Sequence, residues 1–167
     1  MQKAEFWIDK LQLVPHPEGG YFRETYRSHN SYSFTKNNLF NGSRSYATAI
    51  YYLLRSTDCS KLHRIHSDEL WFFHAGDPLT VYVFPEAGKP TRWMLGYSPE
   101  EQHLLQTWVP AGAWFGACLE CTTATDHYAL VSCVVAPGFD FRDFAFADKN
   151  SLQHKFPQHI DIIERLT

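Results

Sequence analysis

The sequence predicts an all-β protein, built as a sandwich or barrel of many short strands. Aromatic residues are abundant, with 13 Phe, 9 Tyr and 5 Trp among 167 residues, and they favour strands. Runs of β-prone residues follow one another with Gly, Pro or polar clusters between them. Because no helical pattern separates these runs, the sequence argues against βαβ units and in favour of a sandwich or barrel.

The first element is a helix in the segment AEFWIDKLQL. Its spacing predicts a short amphipathic helix with Phe6, Lys10 and Leu13 on one side, ended by Pro15. The polar stretch from residue 29 to residue 45 is rich in Asn and Ser. We expect a long surface loop there.

The segment HPEGGYFRETYR lies between these two regions. Gly19 and Gly20 can supply positive φ angles, so HPEGG is interpreted as a structural turn. In the strand that follows, regular alternation puts Arg23 on one face with Tyr21 and Arg27. That face either meets solvent or presents a guanidinium group to a phosphate or carboxylate.

Several strands and two short helical segments are predicted after residue 46. The strand segments are ATAIYYLL, LTVYVF, RWMLG, QTWVP, WFGACLE and HYALVSCVVAP. SPEEQHLL can begin a helical turn. HIDIIERL is expected to end the chain as a short helix that buries Ile160 and Ile163. The length suits one domain, which we expect to span residues 1–167.

Composition excludes several classes of partner. The net charge is −3, with 15 basic against 18 acidic residues, and the basic residues do not cluster, so nucleic-acid binding is not expected. No apolar run is long enough for a bilayer span, and the N-terminal segment lacks the apolar core of a signal peptide. A cytoplasmic location is therefore expected, with reduced thiols at Cys59, Cys118, Cys121 and Cys133 rather than a zinc or redox site.

The segment KLHRIHSDELWFFHAG concentrates imidazole and carboxylate groups just before an aromatic strand. Alternation puts Glu69, Trp71 and Phe73 on one face of that strand. If His63 lies on the adjoining strand, it can meet Glu69 inside a barrel. Such a pair can hold a metal, act as acid and base, or form a structural hydrogen bond.

This segment resembles the first cupin motif, G-x5-H-x-H-x3,4-E-x6-G. His63, Glu69 and Gly76 fit the motif, whereas Ile65 stands at the second His position and His66 is one residue out of phase. The sequence Pro-Ala-Gly at 110–112 resembles the second cupin motif, whose His position holds Phe115. The family's metal would therefore lack two of its ligands, so no metal or other cofactor is expected, unless a local bulge turns His66 inward.

Five blocks, from HPEGGYFRETYRS to VAPGFDFRDF, together resemble one branch of cupins related to dTDP-sugar epimerases. The resemblance implies a cupin jelly-roll barrel (a double-stranded β-helix) with its core at about residues 12–147 and short N- and C-terminal helices. It also implies a homodimer paired through sheet edges or swapped terminal strands. The N-terminal segment and the loop at residues 29–45 are the candidates for that contact.

Three functions remain open. The first is a metal-independent epimerase or isomerase acting on a small polar or anionic metabolite, such as a sugar or sugar nucleotide, with His63 as base and Glu69 as its partner or as a second acid or base. Tyr21 or Tyr52 would donate the proton. The expected substrate-binding residues are Arg23, Arg27, Trp71, Phe73, Trp114 and Phe115. The second function is small-molecule binding without turnover, and the third is a metal-dependent dioxygenase or isomerase.

Overall fold

The computed structural model describes residues 2–35, 39–120 and 127–167, and it confirms the all-β prediction. Two antiparallel sheets pack face to face. Across the first sheet the order is β1 (Val14–Pro15), β2 (Tyr21–Arg27), β5 (Thr48–Arg55), β12 (Tyr128–Ala136), β7 (Asp68–Gly76) and β10 (Gln106–Val109). Across the second it is β13 (Ala145–Phe146), β6 (Cys59–Arg64), β11 (Trp114–Leu119), β8 (Leu79–Phe84) and β9 (Thr91–Leu95).

The main core lies between the two sheets and follows the expected period of two. On β7, Trp71 and Phe73 are buried, whereas the residues between and beside them are more exposed. Val81 and Val83 on β8 enter the same core from the opposite sheet. Glu69 lies two residues before Trp71 on the same strand, so its carboxyl also points between the sheets.

The N-terminal helix α1 (Ala4–Leu11) covers part of the outer face of the six-stranded sheet. It packs there through Ala4 and Ile8, and the indole N–H of Trp7 donates to the hydroxyl of Tyr128 at 2.8 Å. Phe6, which was predicted on one side of the helix with Lys10 and Leu13, is 42% exposed because the helix docks through the face of Ala4 and Ile8.

Two helices after the barrel, α2 (Lys149–Lys155) and α3 (Ile160–Arg165), cover the outer face of the five-stranded sheet. Ile163 and Leu166 are buried there, as expected for Ile163, but Ile160 is 43% exposed. The predicted turn at SPEEQHLL is a short 3₁₀ helix, Pro99–Glu101. A bilayer crossing needs a longer and more apolar helix than any in the described part of the chain.

The region expected to be a surface loop at residues 29–45 instead contains a hairpin, β3 (Ser31–Phe34) and β4 (Gly42–Ser45). Arg44 leaves this hairpin as a buried side chain and forms a two-pronged ion pair with Asp143, with both N–O distances at 2.6 Å. The two side chains are 1% and 6% exposed. Asp143 belongs to a short 3₁₀ helix after β12, so the pair joins the hairpin to that segment.

We expect Asp143→Ala to lower the free energy of unfolding by about 3 kcal/mol, because it leaves the Arg44 guanidinium buried without its counter-ion. Urea denaturation followed by tryptophan fluorescence measures the change. Glu164→Ala is the matched control, since it removes a carboxylate from an exposed pair with Lys149. Equal stability of the two variants would contradict the structural role of the buried pair.

Candidate functional site

A cavity of about 500 Å³ opens between the sheets, on the inner face of the six-stranded sheet. Strands β2, β5, β12 and β7 supply most of its wall, and the turn before β2 and the segment after β12 supply the rest. The described lining residues are His16, Glu18, Phe22, Glu24, Arg27, Thr48, Ile50, Tyr52, Glu69, Trp71, Cys133, Val135, Phe139, Asp140 and Phe141.

A β-bulge in β2 decides which charged side chains reach this cavity. The pairing of β2 with β5 shifts register between Glu24 and Tyr26, so Thr25 is the extra residue. Because of the shift, Glu24 and Arg27 both line the cavity. Arg23 faces outward and donates to the carbonyl oxygen of Leu11 at 3.1 Å. The predicted grouping of Arg23 with Arg27 is therefore wrong, since a bulge interrupts the period of two.

The turn at residues 16–20 places a carboxyl group in the cavity wall. Gly19 and Gly20 have φ angles of 113° and 65°, and a Cβ at Gly19 would lie 2.1 Å from the carbonyl oxygen of Cys59. The backbone of the turn can therefore lie directly on the strands beneath it. Glu18 points inward, is 7% exposed, and accepts a hydrogen bond from Ser60 Oγ at 3.1 Å.

His63 lies on β6, in the sheet opposite Glu69, and it contacts Glu18. Its Nδ1 is 2.6 Å from the carbonyl oxygen of Lys61, which can only accept, so Nδ1 carries the proton. The unprotonated Nε2 then faces Glu18 Oε1 at 3.6 Å. Burial lowers the pKa of His63 to about 4, so the ring is neutral at pH 7. Its ring packs against Phe115, with the centroids 4.1 Å apart.

A second imidazole, His16, flanks Glu18 from the other side. Its Nδ1 accepts a hydrogen bond from the backbone N–H of Glu18 at 3.2 Å, and it lies 3.8 Å from Oε2. Burial lowers the pKa of His16. Burial also raises the pKa of Glu18 to about 7, although the nearby His16 and the hydrogen bond from Ser60 oppose the rise.

Glu69 is the second carboxyl in the wall. It is 8% exposed and lies beside Trp71 and Cys133. Burial, together with the charge of Glu18, raises the pKa of Glu69 to about 8, while the Cys133 thiol opposes this. At pH 7 the Glu69 carboxyl is therefore mostly protonated and can donate a hydrogen bond.

Two aromatic residues predicted for the site also line it. The hydroxyl of Tyr52 donates to the carbonyl oxygen of Gly19 at 2.8 Å, and burial raises the pKa of Tyr52 well above its usual value. Trp71 forms a wall of the cavity. Among the described residues its buried indole N–H has no hydrogen-bond partner.

The other predicted site residues lie away from the cavity wall. Tyr21 packs beneath α1, with the Arg55 guanidinium 4.9 Å from its ring centroid. Phe73 is a core residue that packs against Tyr97. Trp114 lies on the outer face of the five-stranded sheet. Of the ten predicted site residues, the wall contains Tyr52, Glu69, Arg27 and Trp71, with His63 and Phe115 behind Glu18.

The sequence interpretation missed Glu18 and His16, because it treated HPEGG only as a turn. The signal was present in the residue types, since an imidazole and a carboxylate stand two positions apart next to a Gly-Gly pair. What the sequence could not supply is the direction of Glu18, which depends on contacts with Ser60 on β6.

The side chains do not fit the metal site of the cupin motif. Ile65 is buried in the apolar core, and Phe115 occupies the other vacated ligand position, against His63. His66 follows the end of β6, and its Nδ1 lies 3.6 Å from Asp143, away from the cavity. In residues 2–35, 39–120 and 127–167 no three His, Cys, Asp or Glu side chains are grouped for a metal.

Cys121, the second cysteine of the Cys-x-x-Cys pair, lies outside the described residues. Cys59, Cys118 and Cys133 are free thiols. Burial raises the pKa of Cys118 to about 11, so this thiol stays protonated at pH 7.

Comparison with known proteins places this site in a family context. A family model described as "Cupin superfamily (DUF985)" matches residues 5–147. The uncharacterized protein YML079W of Saccharomyces cerevisiae is 32% identical over 157 residues, covering 88% of this chain and 77% of the yeast protein.

Two solved structures are similar over nearly the whole chain. A hypothetical protein from Leishmania major is 40% identical with a TM-score of 0.88, covering 99% of each chain. Protein SO0799 from Shewanella oneidensis is 36% identical with a TM-score of 0.86, covering 100% of this chain and 98% of the other. The matched family model and these relatives establish that the chain belongs to the cupin superfamily, in its DUF985 family.

Proposed function

We propose that this cupin binds a small polar metabolite in its barrel and moves a proton on it, as a metal-independent isomerase or epimerase does. One observation supports this most directly: Glu18 and Glu69, from different elements, place two buried carboxyls in the wall of one cavity. Within the described part of the chain, neither carboxyl forms an ion pair with a lysine or arginine. Buried carboxyls without a basic partner are costly for stability, which favours a functional role.

The two carboxyls suit opposite tasks. Glu18 accepts a hydrogen bond from Ser60, which favours its ionised form, and it serves as the base. Glu69 lies against Trp71, where burial and the charge of Glu18 raise its pKa, so it keeps its proton and serves as the acid. Environments that separate the pKa values of two neighbouring carboxyls are typical of acid–base pairs.

The proposed step acts on a carbon next to a carbonyl group. Glu18 takes the proton from that carbon, the C–H electron pair becomes a C=C bond, and Glu69 gives its proton to the carbonyl oxygen. Returning a proton to the same carbon on its other face, while Glu69 takes back the enol proton, gives an epimer. Where that carbon carries a hydroxyl group, the intermediate is an enediol: Glu18 returns the proton to the former carbonyl carbon, the hydroxyl gives its proton to Glu69 as the new carbonyl forms, and the product is an isomer. Both steps balance without an oxidant or a metal.

His63 has a different role in this proposal from the one that the sequence suggested. With Nδ1 bonded to Lys61 and the ring neutral, Nε2 has no proton to donate to Glu18, and His63 does not line the cavity. Ser60 donates to the Glu18 carboxyl, and His16 holds the backbone beside it by accepting from the Glu18 N–H. His63 is therefore a buried neighbour of Glu18, and Glu18 is the proposed base.

Binding without turnover is the second candidate, and a specific observation favours it. The exchangeable protons of His63 and Tyr52 are both committed to backbone carbonyl oxygens. These two predicted acid–base residues therefore stabilise the structure around the cavity instead of exchanging protons with a ligand. A cavity with aromatic walls and a few polar groups is also typical of binding sites.

We also propose that the protein works in the cytoplasm. Cys59, Cys118 and Cys133, the cysteines among the described residues, are free thiols and suit a reducing compartment.

We expect the wild-type protein to catalyse solvent-deuterium exchange into at least one unphosphorylated aldose or ketose, with a pH optimum between about 7 and 8. The rate should rise as Glu18 ionises and fall as Glu69 ionises. Proton NMR in D2O measures the exchange.

Glu18→Gln should remove the rising limb and Glu69→Gln the falling limb, each with a rate loss of at least about 100-fold. Glu86→Gln, on the exposed surface, is the matched control. Sugar binding without exchange at any pH would favour the non-catalytic alternative.

Burial of Glu69 also makes stability depend on pH. In the unfolded chain this carboxyl ionises near its ordinary value of 4.5, but in the folded chain it ionises near 8. The folded state therefore holds more protons over this interval, and Glu69 lowers the free energy of unfolding by up to about 1.4 kcal/mol per pH unit as the pH rises.

Glu69→Gln should thus be more stable than wild type at pH 9 and differ little from it at pH 4. Thermal unfolding across this pH range measures the difference, with Glu86→Gln as reference. A difference between Glu69→Gln and wild type that does not change with pH would show that Glu69 ionises normally in the folded protein.

We also propose that the chain forms a homodimer through the outer face of the six-stranded sheet. Strand pairing aligns one uncharged row across five strands: Tyr26, Ala49, Val134, Leu70 and Trp108. The two ends of the row, Tyr26 and Trp108, are 54% and 56% exposed. A two-fold contact can bury such a row against its own copy, and aromatic residues are frequent in these interfaces.

We expect light scattering coupled to gel filtration to give a dimer for the wild-type protein. Trp108→Glu should shift it to a monomer, because it adds a buried charge to the apolar row. Trp93→Glu is the matched control on β9 of the other sheet. A monomeric wild-type protein, or equal effects of the two substitutions, would contradict this interface.

A further inference from the structure

The mouth of the cavity contains one arginine, and all three of its guanidinium nitrogens are engaged. Arg27 donates from Nε and Nη2 to the two carboxylate oxygens of Glu24, at 2.9 and 2.6 Å. Its Nη1 donates to the carbonyl oxygen of Phe139 at 3.1 Å and to Ser45 Oγ at 3.3 Å. Four of the five guanidinium N–H groups are therefore used, and an anionic ligand would have to displace one of these acceptors to be held by two hydrogen bonds.

The bulge in β2 creates this pair. Residues three apart on a regular strand point to opposite faces, so Glu24 and Arg27 would normally be separated. The extra residue Thr25 brings both side chains to the cavity. Without the bulge, either the carboxylate or the guanidinium would face the cavity alone.

The other carboxyl groups of the wall add no cation for an anionic ligand. Asp140 lines the mouth, and the two-pronged hydrogen bonding from Arg142 keeps its pKa well below the usual range. Deeper in the cavity are Glu18 and Glu69. Among the described lining residues, Arg27 is the one permanent cation, and four carboxyl groups surround the same space.

We infer that Glu24 determines specificity: by holding Arg27, it makes the cavity accept uncharged ligands and reject anionic ones. The inference rests on the proposed function, because it takes the cavity to be the ligand site. The substrate class is then small uncharged carbonyl or hydroxyl compounds, without a phosphate or carboxylate group. Arg27 of this strand therefore binds Glu24 rather than the anionic ligand that had been expected for its arginines.

Apolar contacts suit the same class of ligand. Phe22 and Phe139 line the mouth, and Phe141 beside them is 59% exposed. Phe139 and Phe141 meet edge to face, with centroids 4.9 Å apart. An aromatic or C–H face of a ligand can pack on these rings while its polar end reaches Glu69.

Two probes of similar size test the inference, since they differ mainly in charge: 2-phenylethanol and phenylacetate. Binding is measured by NMR titration of the wild-type protein, Glu24→Gln, and Glu24→Gln combined with Arg27→Gln. Glu100→Gln, an exposed position outside the cavity wall, controls for the loss of one negative charge.

We expect the wild-type protein to bind 2-phenylethanol about tenfold more tightly than phenylacetate. Glu24→Gln should strengthen phenylacetate binding about fivefold, because it frees the guanidinium from an exposed ion pair. It should change 2-phenylethanol binding less than about twofold, since that probe carries no charge. The double variant should lose the gain, and Glu100→Gln should show none.

The outcomes separate this inference from the proposed function. If the wild-type protein binds 2-phenylethanol but binds phenylacetate equally well, or if Glu24→Gln brings no gain, the role of Glu24 is overturned and the cavity remains the ligand site. If 2-phenylethanol fails to perturb the resonances of the cavity residues, the inferred preference for uncharged ligands is overturned, while the proposed function is decided by deuterium exchange into sugars and its loss in Glu18→Gln and Glu69→Gln.

Discussion

The site depends on how closely the backbone of residues 16–20 approaches the barrel. Only glycine at position 19 lets the turn lie against the carbonyl oxygen of Cys59. The Tyr52 hydroxyl fixes the turn by donating to the carbonyl oxygen of Gly19, and the backbone N–H of Lys61 donates to that of Glu18. These contacts direct Glu18 inward. Burial raises the pKa of the neighbouring Glu69, and the charge of Glu18 raises it further, so the inward direction of Glu18 helps Glu69 to keep its proton.

A pocket of this kind lowers the stability of the folded protein. Two buried carboxyls gain little from two buried imidazoles that are neutral at pH 7, and each of the four groups has lost water. Stability is therefore supplied elsewhere, by the apolar core between the sheets and by the buried pair of Arg44 and Asp143. That pair anchors the short helical turn that begins at Phe141, so it also supports the rim of the cavity.

Much of this arrangement was predictable, because strand alternation is a local property. The strand series and the shared phase of Glu69, Trp71 and Phe73 follow from a period of two, and both agree with the structure. The failures occur where long-range contacts override local pattern. Because of the bulge at Thr25, the residues of β2 that follow it point to the opposite faces of the sheet from those that regular alternation predicts. The partner of Arg44 lies 99 residues away, so the stretch around it looked like a polar loop.

The bulge in β2 has an evolutionary consequence. Loss of one residue there would restore regular alternation and carry one member of the Glu24–Arg27 pair to the outer surface, while the hydrogen-bonded ladder with β5 could re-form. The sign of the charge at the pocket entrance could then change through a single in-frame codon deletion, without redesign of the core. In such a scaffold, ligand preference can diverge between relatives faster than the fold that supports it.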